Sequence, residues 1–367
     1  MKKIGIVYDD IFAEHHTQGW FSHPECKERV LHTIDVLKEH EMYGKDHAEN
    51  YVPIMPRDAT FEELNWCHEQ ALIEWVKDAV SKSSEKRLEH MDGDTPVSPQ
   101  SLNAALQAAG GNFEAIDKIM EGKINRAFVL CRPPGHHANK GRSRGFCLFN
   151  NIILATHYLT RKKGIKKVAI FDFDVHAGNG SEDLIWRGIP EGEVLFISSH
   201  QDPRAFYPFE CHADEIGDGA QKGKIVNITY APGSGDQCIN LALDEIVSPL
   251  FREFKPEFIL ISAGFDAHHT DPIGGLGFTD QSYGNMINKL SPIADEFASG
   301  RMAATLEGGY NIDSIARSIS NVISTMSTGK LIEDEDEFQE KSDRVEYTEN
   351  VLIPKIQGFI APYWKSI

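Results

Sequence analysis

The sequence lacks any apolar run of about eighteen residues, the length that a membrane-spanning helix needs. Its first residues, MKKIGIVYDD, also lack the longer apolar stretch of a signal peptide. The six cysteines are scattered without a C-x-x-C pair, which favours reduced thiols over a disulfide framework. These absences predict a cytoplasmic protein that has no membrane partner.

Basic residues are few compared with acidic ones, 37 against 55, and the formal net charge is −18. Nucleic acids and anionic membranes bind basic surfaces, so we expect neither as the main partner. The charge permits a cationic substrate, although acidity that serves solubility is the simpler interpretation. Hydrophobic residues make up 41% and charged residues 25%, which is the composition of a soluble globular protein with a large core.

Short apolar segments alternate with helical ones along the chain. The apolar segments lack the polar alternation of a half-exposed strand, which predicts buried parallel strands. We expect strands at 3–8, 126–131, 167–171, 194–198, 224–228, 257–262 and 301–306, and helices at 101–121, 150–163 and 236–254. This alternation predicts an α/β fold, a central parallel β-sheet with helices on both faces. Such sheets carry their functional sites at the carboxyl ends of the strands.

One domain with a C-terminal extension is the simplest organisation. We expect a main domain at residues 1–330 and an extension at residues 331–367. The extension begins with an acidic run at 333–340, EDEDEFQE, which we interpret as a solvated linker. It then regains apolar character in VLIPKIQGFIAPYW, so its end is expected to pack on the main domain.

The segment FDFDVHAGNG follows an apolar strand and carries three residues that suit a metal ion. Asp172, Asp174 and His176 are spaced by two, which points their side chains to one side of an extended chain. Carboxylate and imidazole together suit zinc and similar divalent metals. A single Asp here would more often cap the next helix. Three such residues after a buried strand favour a metal site, because unpaired buried charges are costly.

A second candidate segment, SAGFDAHHTDPIGG, follows the apolar strand FILI. Asp266 lies at the end of that strand and could complete a site with three protein ligands. The open fourth position is typical of catalytic rather than structural zinc. His268 and His269 share a loop with Asp271 and Pro272, and we interpret the two histidines as surface residues rather than ligands.

Two further segments carry groups suited to catalysis. In CRPPGHHANKGRSRGFCLFNN, prolines and a glycine fix a turn that presents His136 and His137 after a strand. Imidazoles titrate near neutral pH and suit general acid–base work, whereas a bare His-His pair would more often be exposed in a loop. In LEGGYN, glycines allow close approach of a ligand, and the phenol of Tyr310 can donate a hydrogen bond to an oxyanion.

With RPPGHHA, GFCLFNN, DFDVHAGNG, SAGFDAHHTDPIGG and LEGGYN in this order, the chain resembles the zinc-dependent histone deacetylase family, which shares its fold with arginases. The motifs extend over residues 131–311, and HPECKERV and APYWKSI are weaker family-like features. Asn179, LEGGYN and the PYWKS ending are similar to the class II branch and its prokaryotic relatives, which include histone deacetylase-like amidohydrolases and acetylpolyamine amidohydrolases. The resemblance implies an arginase–deacetylase fold, with the deacetylase catalytic domain at residues 1–330.

The resemblance implies metal-assisted hydrolysis of an acetyl-amide, with one catalytic zinc ion as cofactor. The implied zinc ligands are Asp174, His176 and Asp266. His137 matches the general base, which later protonates the leaving amine, and Tyr310 matches the residue that polarises the acetyl carbonyl together with zinc. The implied partner is an acetylated lysine side chain or a small acetylated amine.

The residues around this centre also match family positions. His136 assists electrostatically, and Asp172 and Asn179 match the groups that orient His136 and His137 respectively. The resemblance also implies a structural potassium ion bound by Asp172, Asp174 and Ser198, with main-chain oxygens of His176 and Ser199. One departure is Ala177, which stands where the family commonly has a second histidine.

Four residues match the walls and rim of the substrate channel. Phe146 and Tyr207 match the aromatic walls of a narrow acyl-lysine channel, which the tyrosine should make slightly more polar. Asp94 matches a rim aspartate that binds the substrate backbone, although neighbouring Asp92 remains an alternative. Ile273 stands where some relatives that select polyamines have a glutamate.

Several alternatives remain open from the sequence. An acetylpolyamine deacetylase is favoured by the net charge and disfavoured by Ile273. A catalytically dead acyl-lysine binding module would be expected to lack one of the catalytic or ligand residues, all of which are retained. An arginase-like binuclear manganese enzyme would need further bridging carboxylates. The oligomeric state, including a homo-oligomer, is open.

Overall fold

The fold was analysed in a computed structural model, which describes residues 1–19, 22–188, 192–333 and 335–367. Its centre is a parallel sheet of eight strands in the order β2-β1-β3-β8-β7-β4-β5-β6. The strands are β1 Ile4–Val7, β2 Tyr51–Ile54, β3 Arg126–Val129, β4 Lys167–Asp172, β5 Glu193–Gln201, β6 Ile225–Tyr230, β7 Phe258–Ala263 and β8 Met302–Leu306.

The predicted α/β fold and its buried strands are confirmed. Nearly every residue of the strands is buried, so both faces of the sheet are covered, as expected for parallel strands. The prediction missed β2, an edge strand whose sequence is YVPI. Pro53 cannot donate a hydrogen bond within a sheet, and for that reason proline is confined to positions such as this edge.

Helices cover the sheet and include the three expected from the sequence. They are α1 Glu28–Glu39, α2 Phe61–Leu64, α3 Gln70–Lys82, α4 Ser101–Met120, α5 Asn151–Lys162, α6 Asn179–Trp186, α7 Asp236–Ala242, α8 Ser248–Phe254, α9 Asp280–Phe297, α10 Ile312–Thr328, α11 Ser342–Tyr347 and α12 Ile353–Ile360. A π-helical turn, Leu243–Val247, joins α7 to α8, so the predicted helix at 236–254 is one continuous helical stretch. It ends at Lys255, which has a left-handed backbone before Pro256.

The C-terminal segment packs on the sheet domain through apolar side chains. Residues of α12 and its flanks are buried, and they include Leu352, Ile353, Ile356, Ile360 and Trp364. The indole of Trp364 donates a hydrogen bond to the carbonyl of Gly223, 2.6 Å away. The last residues of the chain are therefore attached beside β6, which lies at the edge of the sheet.

The acidic run at 333–340 is largely exposed, as expected, but two of its carboxylates also bind the main body of the protein. The Asp336 carboxylate accepts a hydrogen bond from the backbone N–H of Asp280 at 2.9 Å. The Glu340 carboxylate accepts bonds from the N–H groups of Gly235 and Gln237 at the start of α7. Free N–H groups at helix starts attract carboxylates, which attaches the run to two helices. Asp334 lies outside the described residues.

Candidate active site

The four candidate motifs follow four strands that are neighbours in the sheet, in the order β3, β8, β7 and β4. RPPGHH follows β3, LEGGYN includes the end of β8, SAGFD spans the end of β7, and FDFDVH spans the end of β4. Parallel strands end at the same edge of a sheet, so the segments meet there. Sequence positions more than a hundred residues apart are thereby brought into one site.

Asp174, His176 and Asp266 converge at this edge. The Nδ1 atom of His176 lies 3.1 Å from Asp174 Oδ1 and 3.1 Å from Asp266 Oδ2. Both carboxylates are fully buried, and Phe206 stacks on the His176 ring with 4.8 Å between centroids. The backbone N–H groups of Val175 and Gly308 donate to Asp266 and Asp174 respectively, which fixes the direction of both carboxylates.

The donor atoms of this triad fit a zinc ion. Zinc bonds of about 2.0 Å in tetrahedral geometry place neighbouring donor atoms about 3.3 Å apart, close to the distances observed. Glycines leave room for the carboxylates. A Cβ atom at Gly308 would lie 2.2 Å from Asp266 Oδ2, and one at Gly264 would lie 2.0 Å from Asp174 Oδ2. Burial and the charge of Asp174 raise the pKa of Asp266 to about 7, as expected for two carboxylates that share a buried site.

His136 and His137 lie side by side, and their environments differ. Their ring centroids are 4.0 Å apart. The Nδ1 atom of His136 is 3.1 Å from Asp172 Oδ2, whereas that of His137 is 2.7 Å from Asn179 Oδ1. The first imidazole therefore has a carboxylate partner and the second an uncharged amide.

These partners separate the pKa values of the two histidines. Burial lowers the pKa of His136, but the charges of Asp174 and Asp172 outweigh it and raise the pKa to about 10. Burial, followed by the charge of His136, lowers the pKa of His137 well below its ordinary value. The two shifts have opposite directions, so His136 holds a proton more tightly than an ordinary imidazole and His137 holds one less tightly.

Glu307 holds the turn that presents the two histidines, and sequence reasoning missed it. It is fully buried, and its carboxylate accepts hydrogen bonds from the N–H groups of Gly135 at 2.6 Å and His136 at 3.0 Å. Burial raises the pKa of Glu307 to about 7. The signal was available, because a glutamate directly after the apolar strand RMAATL must find hydrogen-bond partners once it is buried.

Tyr310 is held from both sides. The guanidinium of Arg29 lies 4.9 Å from the centre of its ring and donates a hydrogen bond to the Gly309 carbonyl at 2.6 Å. On the other side, the Asp271 carboxylate accepts a bond from the N–H of Tyr310, 2.6 Å long. Burial raises the pKa of Tyr310 well above its ordinary value, so the phenol stays protonated and can donate.

A buried ion network stands behind this tyrosine, and it too escaped sequence reasoning. Glu25 lies between Arg29 and Arg132, and all three side chains are fully buried. Both carboxylate oxygens of Glu25 accept hydrogen bonds from Arg132. HPECKERV places Glu25 four residues before Arg29, but Glu25 lies ahead of α1, so helical spacing does not predict the pair.

The residues matched to the channel walls lie next to His137 and Tyr310. The Phe146 ring contacts the Tyr310 ring edge-to-face at 5.7 Å, and the Tyr207 ring contacts the His137 ring in the same way at 5.1 Å. The N–H of Phe146 donates to the Thr95 hydroxyl at 3.0 Å, which fixes its position. Two aromatic rings thus lie against His137 and Tyr310.

The rim residues lie further out. Asp94, but not Asp92, lines an adjoining cavity of about 890 Å³, together with His23. Asp92 accepts a hydrogen bond from the N–H of Asp94, so it shapes the turn. Burial and the neighbouring Asp92 raise the pKa of Asp94 to about 6. Ile273 lies in the loop that Asp271 holds through the N–H of Ile273 at 3.0 Å, and this same carboxylate binds the Tyr310 loop.

The interpretation of His268 and His269 as surface residues was wrong. His268 is buried and His269 is partly buried, and the Nε2 atoms of both face the Asp336 carboxylate, at 2.9 Å and 2.8 Å. Asp336 belongs to the acidic run, so a segment that is distant in the sequence covers these two rings. The Nδ1 atom of His268 accepts from the N–H of Thr270, which leaves the proton on Nε2 as a hydrogen-bond donor.

The residues matched to a potassium site lie on two adjacent strands. Asp172 in β4 pairs in register with Ser198 in β5, and the Asp172 carboxylate also accepts a bond from the N–H of Asp174. Ser198 Oγ is 2.9 Å from His200 Nδ1, and Ser199 is fully buried. Asp172 and Ser198 are therefore neighbours across the two strands, and Ser199 follows Ser198 directly in β5.

The chain is similar to known deacetylases over most of its length. The family model of the histone deacetylase domain matches residues 23–326. A probable deacetylase of Archaeoglobus fulgidus is 35% identical over 309 residues, which cover 84% of this chain and 82% of the relative. Histone deacetylase 14, chloroplastic, of Arabidopsis thaliana is 33% identical over 324 residues, which cover 86% of this chain and 75% of the relative.

A solved structure agrees with these relatives. The crystal structure of the HDA15 HD domain is 29% identical and has a TM-score of 0.87, covering 100% of this chain and 97% of that one. The chain belongs to the histone deacetylase family and has the arginase–deacetylase fold. Among the described residues, the helices are too short or too polar for any of them to cross a membrane.

Proposed function

We propose that this protein is a zinc-dependent deacetylase that hydrolyses an acetyl-lysine-type amide to acetate and a free amine. The observation that carries the proposal is the convergence of a buried metal-type triad, Asp174, His176 and Asp266, with a neighbouring histidine, His137, whose pKa is lowered. The family of the chain supports deacetylase activity in general. That the enzyme uses zinc and that it acts on acetyl-lysine are the two parts of the proposal that go beyond the family.

In this proposal the zinc ion is held by the triad, and when bound it polarises the acetyl carbonyl and makes water more acidic. His137 takes the proton of the attacking water and later gives it to the leaving amine. The charged His136 favours the negative charge that develops during attack. Tyr310 donates its hydroxyl proton in a hydrogen bond to the carbonyl oxygen, an interaction that strengthens as charge grows on that oxygen.

The metal assignment is tested by Asp266→Ala. Two remaining ligands should not hold a catalytic zinc ion, so the variant should lose both zinc and acetate release. Asp343→Ala is the matched control, because this aspartate is 65% exposed and pairs with Arg344 on the surface. Zinc content is measured by elemental analysis after dialysis. Full zinc occupancy in the Asp266 variant would remove Asp266 from the ligand set.

The substrate class is proposed from the residues that match the walls and rim of the family's substrate channel. Phe146 and Tyr207 would flank an extended acyl-lysine side chain, and Asp94 at the cavity rim would accept hydrogen bonds from the substrate backbone. Ile273 gives the rim an apolar side chain where a polyamine-selective site would gain from a carboxylate. The test is a screen of acetyl-lysine peptides against acetylpolyamines with zinc-loaded protein. Faster turnover of the polyamines would favour the acetylpolyamine deacetylase instead.

Other parts of the description are also proposals. We propose that residues 1–330 form the catalytic domain, that residues 331–367 form an extension, and that the polar groups of Asp172, Ser198 and Ser199 serve a structural potassium ion. A wild-type protein that binds acetyl-lysine but releases no acetate when loaded with zinc would favour a binding module. Cytoplasmic localisation, the absence of nucleic-acid partners and a homo-oligomer stay predictions.

A further inference from the structure

The hydrogen bonds of His137 continue outward to the surface. Asn179 Oδ1 faces His137 Nδ1 at 2.7 Å, and Asn179 Nδ2 donates to Glu210 Oε2, also at 2.7 Å. Glu210 in turn accepts bonds from both terminal nitrogens of Arg144, at 3.2 Å and 2.8 Å. Asn179 is 2% exposed, whereas the Glu210 side chain is 50% exposed. Three side chains, Asn179, Glu210 and Arg144, thus connect the buried imidazole to the protein surface.

The chemistry of these groups permits one orientation at each step. The Glu210 carboxylate can only accept, so it must face the NH₂ group of the Asn179 amide. The amide oxygen then faces His137, and it too can only accept, so Nδ1 of His137 must carry the proton. In its neutral form the ring then keeps its lone pair on Nε2. Without Glu210, the Asn179 amide could turn over and present its NH₂ group to Nδ1, which would favour the opposite tautomer.

The backbone on both sides of Glu210 has an unusual conformation that fixes the direction of its side chain. Phe209 and Cys211, on either side, both have left-handed backbone conformations with φ of 64° and 69°. Such conformations cost free energy in residues other than glycine and persist where the surroundings enforce them. The Cys211 carbonyl is held by a hydrogen bond with His200 Nε2 at 3.0 Å. The loop therefore keeps Glu210 directed at Asn179.

We propose that Glu210 is a positioning residue: it fixes the Asn179 amide and thereby the tautomer of His137 that can act as a base. Arg144 compensates the Glu210 charge and holds its carboxylate in place. The inference rests on the proposed deacetylase function and extends it by one residue. Glu210 itself need not touch the substrate.

Glu210→Ala should lower kcat by about tenfold, with KM and zinc content close to the wild type. Removing partners that orient catalytic imidazoles and ligands typically costs about 10–100-fold in activity or metal affinity, and a half-exposed carboxylate belongs at the lower end. Glu210→Gln keeps an acceptor for Asn179 and should retain more of kcat. A Glu210→Ala enzyme with unchanged kcat would overturn the proposal.

A double-mutant cycle separates positioning from mere packing. Asn179→Asp places a second carboxylate against Glu210, where the two charges repel. In that background Glu210→Ala should raise kcat, although the same substitution lowers it beside Asn179. A loss of kcat in both backgrounds would show that Glu210 only supports the loop, and the positioning role would fall.

A readout without turnover keeps this inference separate from the proposed function. In ¹⁵N-histidine NMR spectra of the zinc-loaded protein, assigned with His137→Ala, His137 should be the Nδ1–H tautomer. Glu210→Ala should populate the other tautomer. An Nε2–H ring in the wild type would overturn the inference. An Nδ1–H ring in a protein that releases no acetate from any acetyl-amide would support it and contradict the deacetylase proposal.

Discussion

Gly308→Ala should remove zinc although no ligand is changed. A Cβ atom at this position would lie 2.2 Å from Asp266 Oδ2 and 2.6 Å from Asp174 Oδ2. Ordinary van der Waals contacts begin at 3.4 Å, so at least one carboxylate oxygen must move by roughly 1 Å. Zinc–oxygen distances tolerate only about 0.2 Å, and the displaced ligand should therefore be lost. Backbone strain does not enter, because this glycine lacks a left-handed φ.

The expected magnitude is at least about 100-fold in zinc affinity, or roughly 2.8 kcal/mol, since even residues that merely support ligands reach that value. The assay is competition for zinc against a chelator of known affinity, with acetate release measured in parallel. Gly358→Ala is the matched control, because a Cβ atom there meets no atom within 4 Å. A Gly308→Ala protein that holds zinc as tightly as the wild type would refute the reasoning.

Three further predictions concern other parts of the molecule. Tyr310→Phe should lower kcat by ~10²–10³ with little change in zinc content, measured by single-turnover kinetics, and a wild-type rate would remove Tyr310 from the mechanism. Asp336→Ala should lower the free energy of unfolding by about 1–3 kcal/mol, because it removes the partner of His268 and His269, and unchanged urea denaturation would contradict this. Burial alone would raise the pKa of Glu25, but Arg132 and Arg29 lower it from 4.5 to about 2, so its stabilising contribution is present above pH 4.5 and lost as the pH falls to 2. Glu25→Gln should flatten the loss of stability in that window, and an unchanged acid-unfolding curve would show that Glu25 does not contribute.

Local sequence patterns predicted most of the strands of the sheet. They also predicted that the candidate motifs lie at one edge of it. This succeeded because buried strands and the residues directly after them are encoded by neighbouring positions. The edge strand Tyr51–Ile54 escaped because its proline argues against a strand, and only its place at the edge makes that proline acceptable.

Features that depend on distant partners could not be read from the sequence. His268 lies in a polar loop, and it is buried because Asp336, 68 residues away, covers it. Glu25 and Arg132 are 107 residues apart and meet only in the folded core. Glu210 likewise reaches Asn179 across 31 residues, through a loop whose conformation its own sequence does not announce. The strands and the candidate metal ligands can be predicted from neighbouring residues. The side chains that hold the site in place depend on tertiary contacts and cannot.

The central claim is that a zinc ion at Asp174, His176 and Asp266 is required for hydrolysis of an acetyl-amide. The direct measurement is acetate release from an acetyl-lysine peptide by protein that has been stripped with a chelator and then titrated with zinc. We expect no release from the stripped protein and full recovery at one zinc ion per chain. Undiminished acetate release from protein shown by elemental analysis to be free of metal would contradict the account.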